Sequence, residues 1–277
     1  MLAWKVHGVL HPPRRVESAG ILNDAVLAIE EVRVEATDGT ALAAYVLVGE
    51  PDLPWVVLCH DLGSNKGELL PLGLAIQEAG FSVVMIDLRA HGASDGGVSG
   101  LGVAEKADVL GAIDFARARA AGRPIGVFGV GIGAHAAVLA SIERPEVRAL
   151  VLDGLYPDGA YPLLHGVFGD WDLGSRAFGF AARAMYEAVT RDQVERQRAS
   201  DALPRLAGRH VLLLAPASDP RLADRLELMV GTIPVTNDAD GNLVMLPATG
   251  GGRLYGEAST RYLEEVAGFL ASRLPRT

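Results

Sequence analysis

The chain has 277 residues, a net charge of −9 and a pI near 5.3, the length of one large domain or of one domain carrying an insertion. Its 49% hydrophobic and 21% charged content excludes a disordered chain, and the acidic balance excludes a general affinity for nucleic-acid phosphates or anionic membrane. The single cysteine, Cys59, excludes an intrachain disulfide and a cysteine-built metal cluster.

Residues 1–10 are apolar but broken by Lys5, His7 and Gly8 and followed by Pro12 and Pro13. They are too short to span a bilayer and lack the form of a secretion signal, so a cytoplasmic protein without a transmembrane segment is expected. Leu2, Trp4 and Val9 offer at most a peripheral contact. Residues 29–35 alternate apolar with charged, Asp38-Gly39 makes a turn, and 41–48 form a second run, the pattern of an antiparallel hairpin.

Short apolar runs then recur at 55–59, 81–86, 125–128, 149–152, 211–214 and 243–246, as parallel strands buried on both faces require. Helical segments are predicted between them at about 66–79, 101–121, 132–143 and 219–229. In a last helix Tyr262, Val266, Phe269 and Leu270 share one face. The expected fold class is α/β, a mostly parallel sheet covered by helices with an antiparallel hairpin at its start. The core is expected at 20–154 and 210–277. The stretch 155–209 has no convincing strand; its aromatic first half (Tyr156, Tyr161, Phe168, Trp171, Phe178, Phe180) reads as a small helical cap, or as extra sealing of the core.

Three segments together resemble the α/β-hydrolase superfamily: Val56–Ser64 with its His60 loop, Ile86–Gly96 with Asp87, Arg89, His91 and Ser94, and Ile125–Ala134 at the place of the nucleophile elbow. His11-Pro12-Pro13-Arg14-Arg15 and Leu203-Pro204-Arg205-Leu206 are similar to the serine-aminopeptidase-like and acyl-peptidase-like branch. That resemblance implies an α/β-hydrolase fold and a Ser–acid–His triad, and the triad is where this chain departs from it. The elbow keeps small residues at Gly129 and Gly133, but the nucleophile position is Gly131. The acid position matches Asp219, which otherwise reads as the cap of a helix beginning at Pro220. The histidine position matches Gly251, and no histidine follows His210 anywhere in the chain. Asp61 stands where the family usually has glycine beside the oxyanion hole, and a carboxylate there is expected to repel a developing oxyanion.

The pocket or oxyanion-hole equivalents are therefore Asp61, Leu62, Ile132, whose N–H is expected to face the pocket, and His135, one turn into the elbow helix. His135 either reaches the pocket or packs as a hydrogen-bonded core histidine. Cys59 lies in a strand, where a buried thiol is inert, and His60 and His91 read as loop-tying residues. No metal site and no cofactor are indicated; the acidic run at 238–242 lacks the ligands of a calcium loop. Gly129-x-Gly131-x-x-Ala134 with Asp153 downstream also matches a dinucleotide fingerprint. Three functions remain open. One is a non-catalytic protein binding an unidentified small molecule or protein partner, as ligand binder or scaffold. The others are an ester or amide hydrolase using groups such as Asp61, His135 or Cys59, and a nucleotide or anion binder at the 129–134 turn.

Overall fold

The computed structural model describes residues 1–15, 29–168, 176–191, 197–216, 220–230, 246–248 and 257–274. In chain order the elements are α1 (Leu2–Leu10), β1 (Ile29–Glu35), β2 (Ala41–Leu47), β3 (Trp55–Cys59), α2 (Leu70–Glu78), β4 (Ser82–Ile86), α3 (Glu105–Arg119), β5 (Ile125–Val130), α4 (Ile132–Ser141) and β6 (Val147–Asp153). There follow α5 (Ala160–Phe168), α6 (Arg176–Thr190), α7 (Ala199–Ala202), β7 (His210–Pro216), α8 (Pro220–Val230), β8 (Leu246–Ala248) and α9 (Glu257–Arg273). The strands form one sheet in the order β1-β2-β4-β3-β5-β6-β7-β8. β2 runs antiparallel to both β1 and β4, and all other neighbours are parallel.

Successive side chains of a strand point to opposite faces, so a strand covered on both sides must be apolar throughout. β3 shows this directly. Trp55, Val57 and Cys59 join one cluster with Val109, Ile113 and Val138 of α3 and α4. Val56 and Leu58 join the other, with Leu72 and Ile76 of α2 and Leu270 of α9. Each such side chain contributes about 1.5–3 kcal/mol by leaving water. At Gly126 of β5 the methyls of Leu270 and Leu274 stand where a side chain would be, so α9 lies close on the sheet there.

The expected hairpin, parallel strands and helices are present, with shifted ends. The 66–79 segment divides into a 3-10 turn at Lys66–Leu69 and α2, with Pro71 in the first turn of the helix. The helix expected at 101–121 begins only at Glu105, because Glu105 turns back to accept N–H bonds from Gly100 and Gly102. The last described strand is Leu246–Ala248; of the run expected at 243–246, residues 243–245 lie outside the described residues.

The N-terminal segment takes a form the sequence pattern did not specify. It forms a helix whose Val6 and Leu10 pack with Leu163 and Val167 of α5 and with Ala182 and Tyr186 of α6. Its apolar character thus serves packing against the 155–209 segment: Val9 touches Gly166, while Trp4 remains 77% exposed. Among the described residues no helix is long and apolar enough to cross a membrane.

Candidate functional site

Parallel pairing of β3 with β5 sets Cys59 beside Gly129. Two residues further along each chain, Asp61 and Gly131 arrive level with one another at the carboxyl end of the sheet. Gly131 has φ +53° and ψ −112°, a left-handed conformation that costs any side-chain-bearing residue, and it opens α4 directly. Its N–H donates to the Asp153 carbonyl (2.9 Å), and its carbonyl accepts from His135 N–H (3.0 Å). The flanking glycines are sterically required. A Cβ on Gly129 would stand 2.5 Å from the Gly133 carbonyl oxygen, and one on Gly133 would stand 2.6 Å from those of Cys59 and His60. The backbone therefore makes a tight strand–turn–helix between β5 and α4.

The space beside Gly131 is filled. A Cβ on Gly131 would overlap the Asp61 carboxylate, far inside contact distance of Oδ1 and Cγ. Asp61 Oδ1 accepts from Leu62 N–H (2.7 Å) and Ile132 N–H (3.0 Å), and Oδ2 accepts from the Tyr156 hydroxyl (3.3 Å). One of these N–H groups comes from the loop after β3 and the other from the first residue of α4. The Ile132 N–H therefore meets the Asp61 carboxylate, which lies at the positive end of the α4 dipole.

His60 holds this loop. Leu88 N–H donates to His60 Nε2 (3.0 Å), so the ring proton is on Nδ1, which donates to the Asp61 carbonyl (2.7 Å). Burial, with His91 5.0 Å away, pushes the His60 pKa down to about 3 and keeps the ring neutral. His91 Nδ1 is bonded to the Arg89 carbonyl (2.8 Å), the expected loop-tying role. Nearby, buried Asp87 accepts from Lys66 Nζ (2.8 Å), Lys66 N–H (2.7 Å) and Ala93 N–H (2.9 Å), fixing the two loops to each other.

His135 is fully buried and turned away from Asp61: Nδ1 lies 3.1 Å from the Tyr156 carbonyl and Nε2 lies 2.9 Å from the Gln197 carbonyl. Of its two expected environments the structure shows the hydrogen-bonded core. Cys59 is buried, and burial raises its thiol pKa far above the ordinary range, so no thiolate is available. Asp153 is buried and accepts from the Tyr262 hydroxyl (2.7 Å). Asp219 and Gly251 lie outside the described residues, as does Trp171. Among the described residues no group of three potential ligands gathers to hold a metal ion.

The fold recurs in solved structures. An esterase from Pyrococcus furiosus superposes with a TM-score of 0.67 at 18% identity, covering 96% of this chain and 99% of that one. The chain has the α/β-hydrolase fold. Other structures with that fold include a dienelactone hydrolase from Anabaena variabilis (TM-score 0.61, 18% identity, 89% and 99% covered). A third is Est1E from Butyrivibrio proteoclasticus with bound ferulic acid (TM-score 0.65, 16% identity, 87% and 98% covered). Residues 51–158, which hold both glycine-rich loops, match the family model of serine aminopeptidase, S33. Two Escherichia coli sequences described as uncharacterized 31.7 kDa proteins of the traX-finO intergenic region are 29% identical over 127 residues. That match spans 44% of this chain and 44% of theirs, so the chain covers less than half the length of these relatives.

Two participants in the site escape a reading of the sequence. Tyr156 follows β6 and reaches Asp61 only through the fold, and Gln197 contributes only a carbonyl, which every residue has. The aromatic character of the 156–168 stretch was the one available signal, and here Tyr156 stacks on Tyr161 (5.5 Å between centroids) and Tyr161 on His165 (6.3 Å).

Proposed function

We propose that this α/β-hydrolase-fold chain is catalytically silent as a serine hydrolase and that it acts by binding a small molecule or a protein partner. One observation supports the reading: the Asp61 carboxylate lies where a Gly131 side chain would stand and accepts from Leu62 and Ile132 N–H, which this reading takes as the oxyanion-hole pair. An active site keeps such donors free for the substrate, whereas here they are satisfied from within, as in a structural polar cluster. Gly131 in the nucleophile position and the lack of any histidine after His210 support it. The 155–209 segment acts as the cap of a single domain in this reading, and the protein works in the cytoplasm without a cofactor and without nucleic acid.

The second reading, an ester or amide hydrolase with unusual groups, draws on the Tyr156 hydroxyl beside Asp61. It is weakened by His135 and Cys59, neither of which faces that pair. Anion or nucleotide binding at the 129–134 turn is weakened because Asp61 already holds the Ile132 N–H and Asp153 holds Tyr262.

The test is exposure to fluorophosphonate probes followed by intact-mass measurement. The silent reading predicts an unmodified mass. An adduct mapped to Asp61, Tyr156 or any other residue around Gly131 overturns it.

A further inference from the structure

His135 stands between two carbonyl oxygens that belong to the two limbs of the same segment. Tyr156 precedes α5 and α6, and Gln197 follows them; His135 lies on α4 below. Carbonyl oxygens only accept, and a neutral imidazole carries one N–H. A neutral ring therefore bonds one limb and presents a lone pair to the other, whereas an imidazolium bonds both.

We propose that His135 is a proton-operated clasp: neutral, it holds one limb of the 155–209 segment to α4, and protonated, it holds both.

The sign follows from comparing two native arrangements in which the ring stays buried. Burial pushes its pKa below the ordinary histidine range, while each carbonyl bond favours the charged ring. The doubly bonded arrangement therefore has the higher proton affinity, and acid shifts the population towards it. Other charges around the ring act in the same direction. Asp158, in the leading limb, and Glu105, at the start of α3, are the carboxylates that favour the imidazolium. α4 carries no other titratable side chain. In the trailing limb Asp201 and Arg205 are exposed, and Arg198 is half-buried. The neutral ring donates to one of the two limbs, and protonation gains the other. Because the Tyr156 hydroxyl also meets Asp61, closing the clasp presses the segment onto the elbow. The inference does not rest on the silent-site reading, since it concerns the hold on the segment and not the chemistry below it.

The experiment is native-state amide exchange on the full chain from about pH 7.5 to about pH 4.5, corrected for intrinsic exchange rates, with ring ¹⁵N shifts recorded on the same samples. Protection in one of the two limbs, at 157–163 or around Gln197, is expected to rise roughly tenfold to hundredfold as the His135 ring becomes doubly protonated, the factor given by one added charge-assisted hydrogen bond. His135→Gln, with a single donating group, is expected to show no such rise. A wild-type profile without the rise, a rise that persists in His135→Gln, or ring shifts that stay singly protonated while protection changes would each overturn the clasp. The ring shifts and wild-type exchange decide the matter even if the variant fails to fold.

Discussion

Replacing Gly131 with alanine and Asp61 with glycine, singly and together, measures how far the elbow has become a structural unit. In Gly131→Ala the new Cβ overlaps the carboxylate, so Asp61 has to swing out. That strands the Leu62 and Ile132 N–H groups now bonded at 2.7 and 3.0 Å, a loss of about 1.5–3 kcal/mol for a charge-assisted pair. The left-handed backbone adds about 1–3 kcal/mol of strain. Asp61→Gly alone loses the same hydrogen bonds, again about 1.5–3 kcal/mol. The double variant loses them once, not twice. Its destabilisation should therefore fall short of the sum of the singles by about 1.5–3 kcal/mol in a urea-unfolding double-mutant cycle. Additivity to within about 0.5 kcal/mol would refute the view that Asp61 occupies the missing side chain's place.

Two further outcomes are expected. His60 has a folded pKa of about 3 against an ordinary value of about 6.5, so its contribution to stability is complete above the latter and is lost as pH falls towards the former. Urea midpoints should decline below about pH 6.5, with a slope approaching 1.4 kcal/mol per pH unit from this residue, and His60→Gln should flatten the profile; a wild-type profile already flat to about pH 4 contradicts it. Leu10→Ala should cost about 2–5 kcal/mol in the cluster formed by α1, α5 and α6, and speed amide exchange in Ala160–Phe168. Unchanged exchange there would mean that α1 is not anchored on α5.

The sheet was legible because burial on both faces leaves only apolar runs, as in Trp55–Cys59, and because turns such as Asp38-Gly39 punctuate them. Helix ends were less so: Glu105 ends its own loop through side-chain hydrogen bonds from Gly100 and Gly102 N–H that apolar periodicity does not display. The N-terminal helix escaped because its apolar residues have a partner only once α5 and α6 have folded beneath them. At the elbow the absence of a serine at 131 could be read from one position, and the oddity of Asp61 from another. Their meeting could not, because it depends on the register that sets Cys59 beside Gly129. His135 was ambiguous for the same reason, its partners being two backbone carbonyls far along the chain.

The central claim is that the elbow is filled by Asp61 and performs no hydrolysis. The most direct measurement is turnover of a panel of short acyl esters and amides by pure protein, with Asp61→Asn and Gly131→Ala prepared in parallel to identify contaminating activity. The account predicts rates equal to the uncatalysed background for the wild type. Turnover by the wild type that disappears in Asp61→Asn, with that variant still folded, would contradict it.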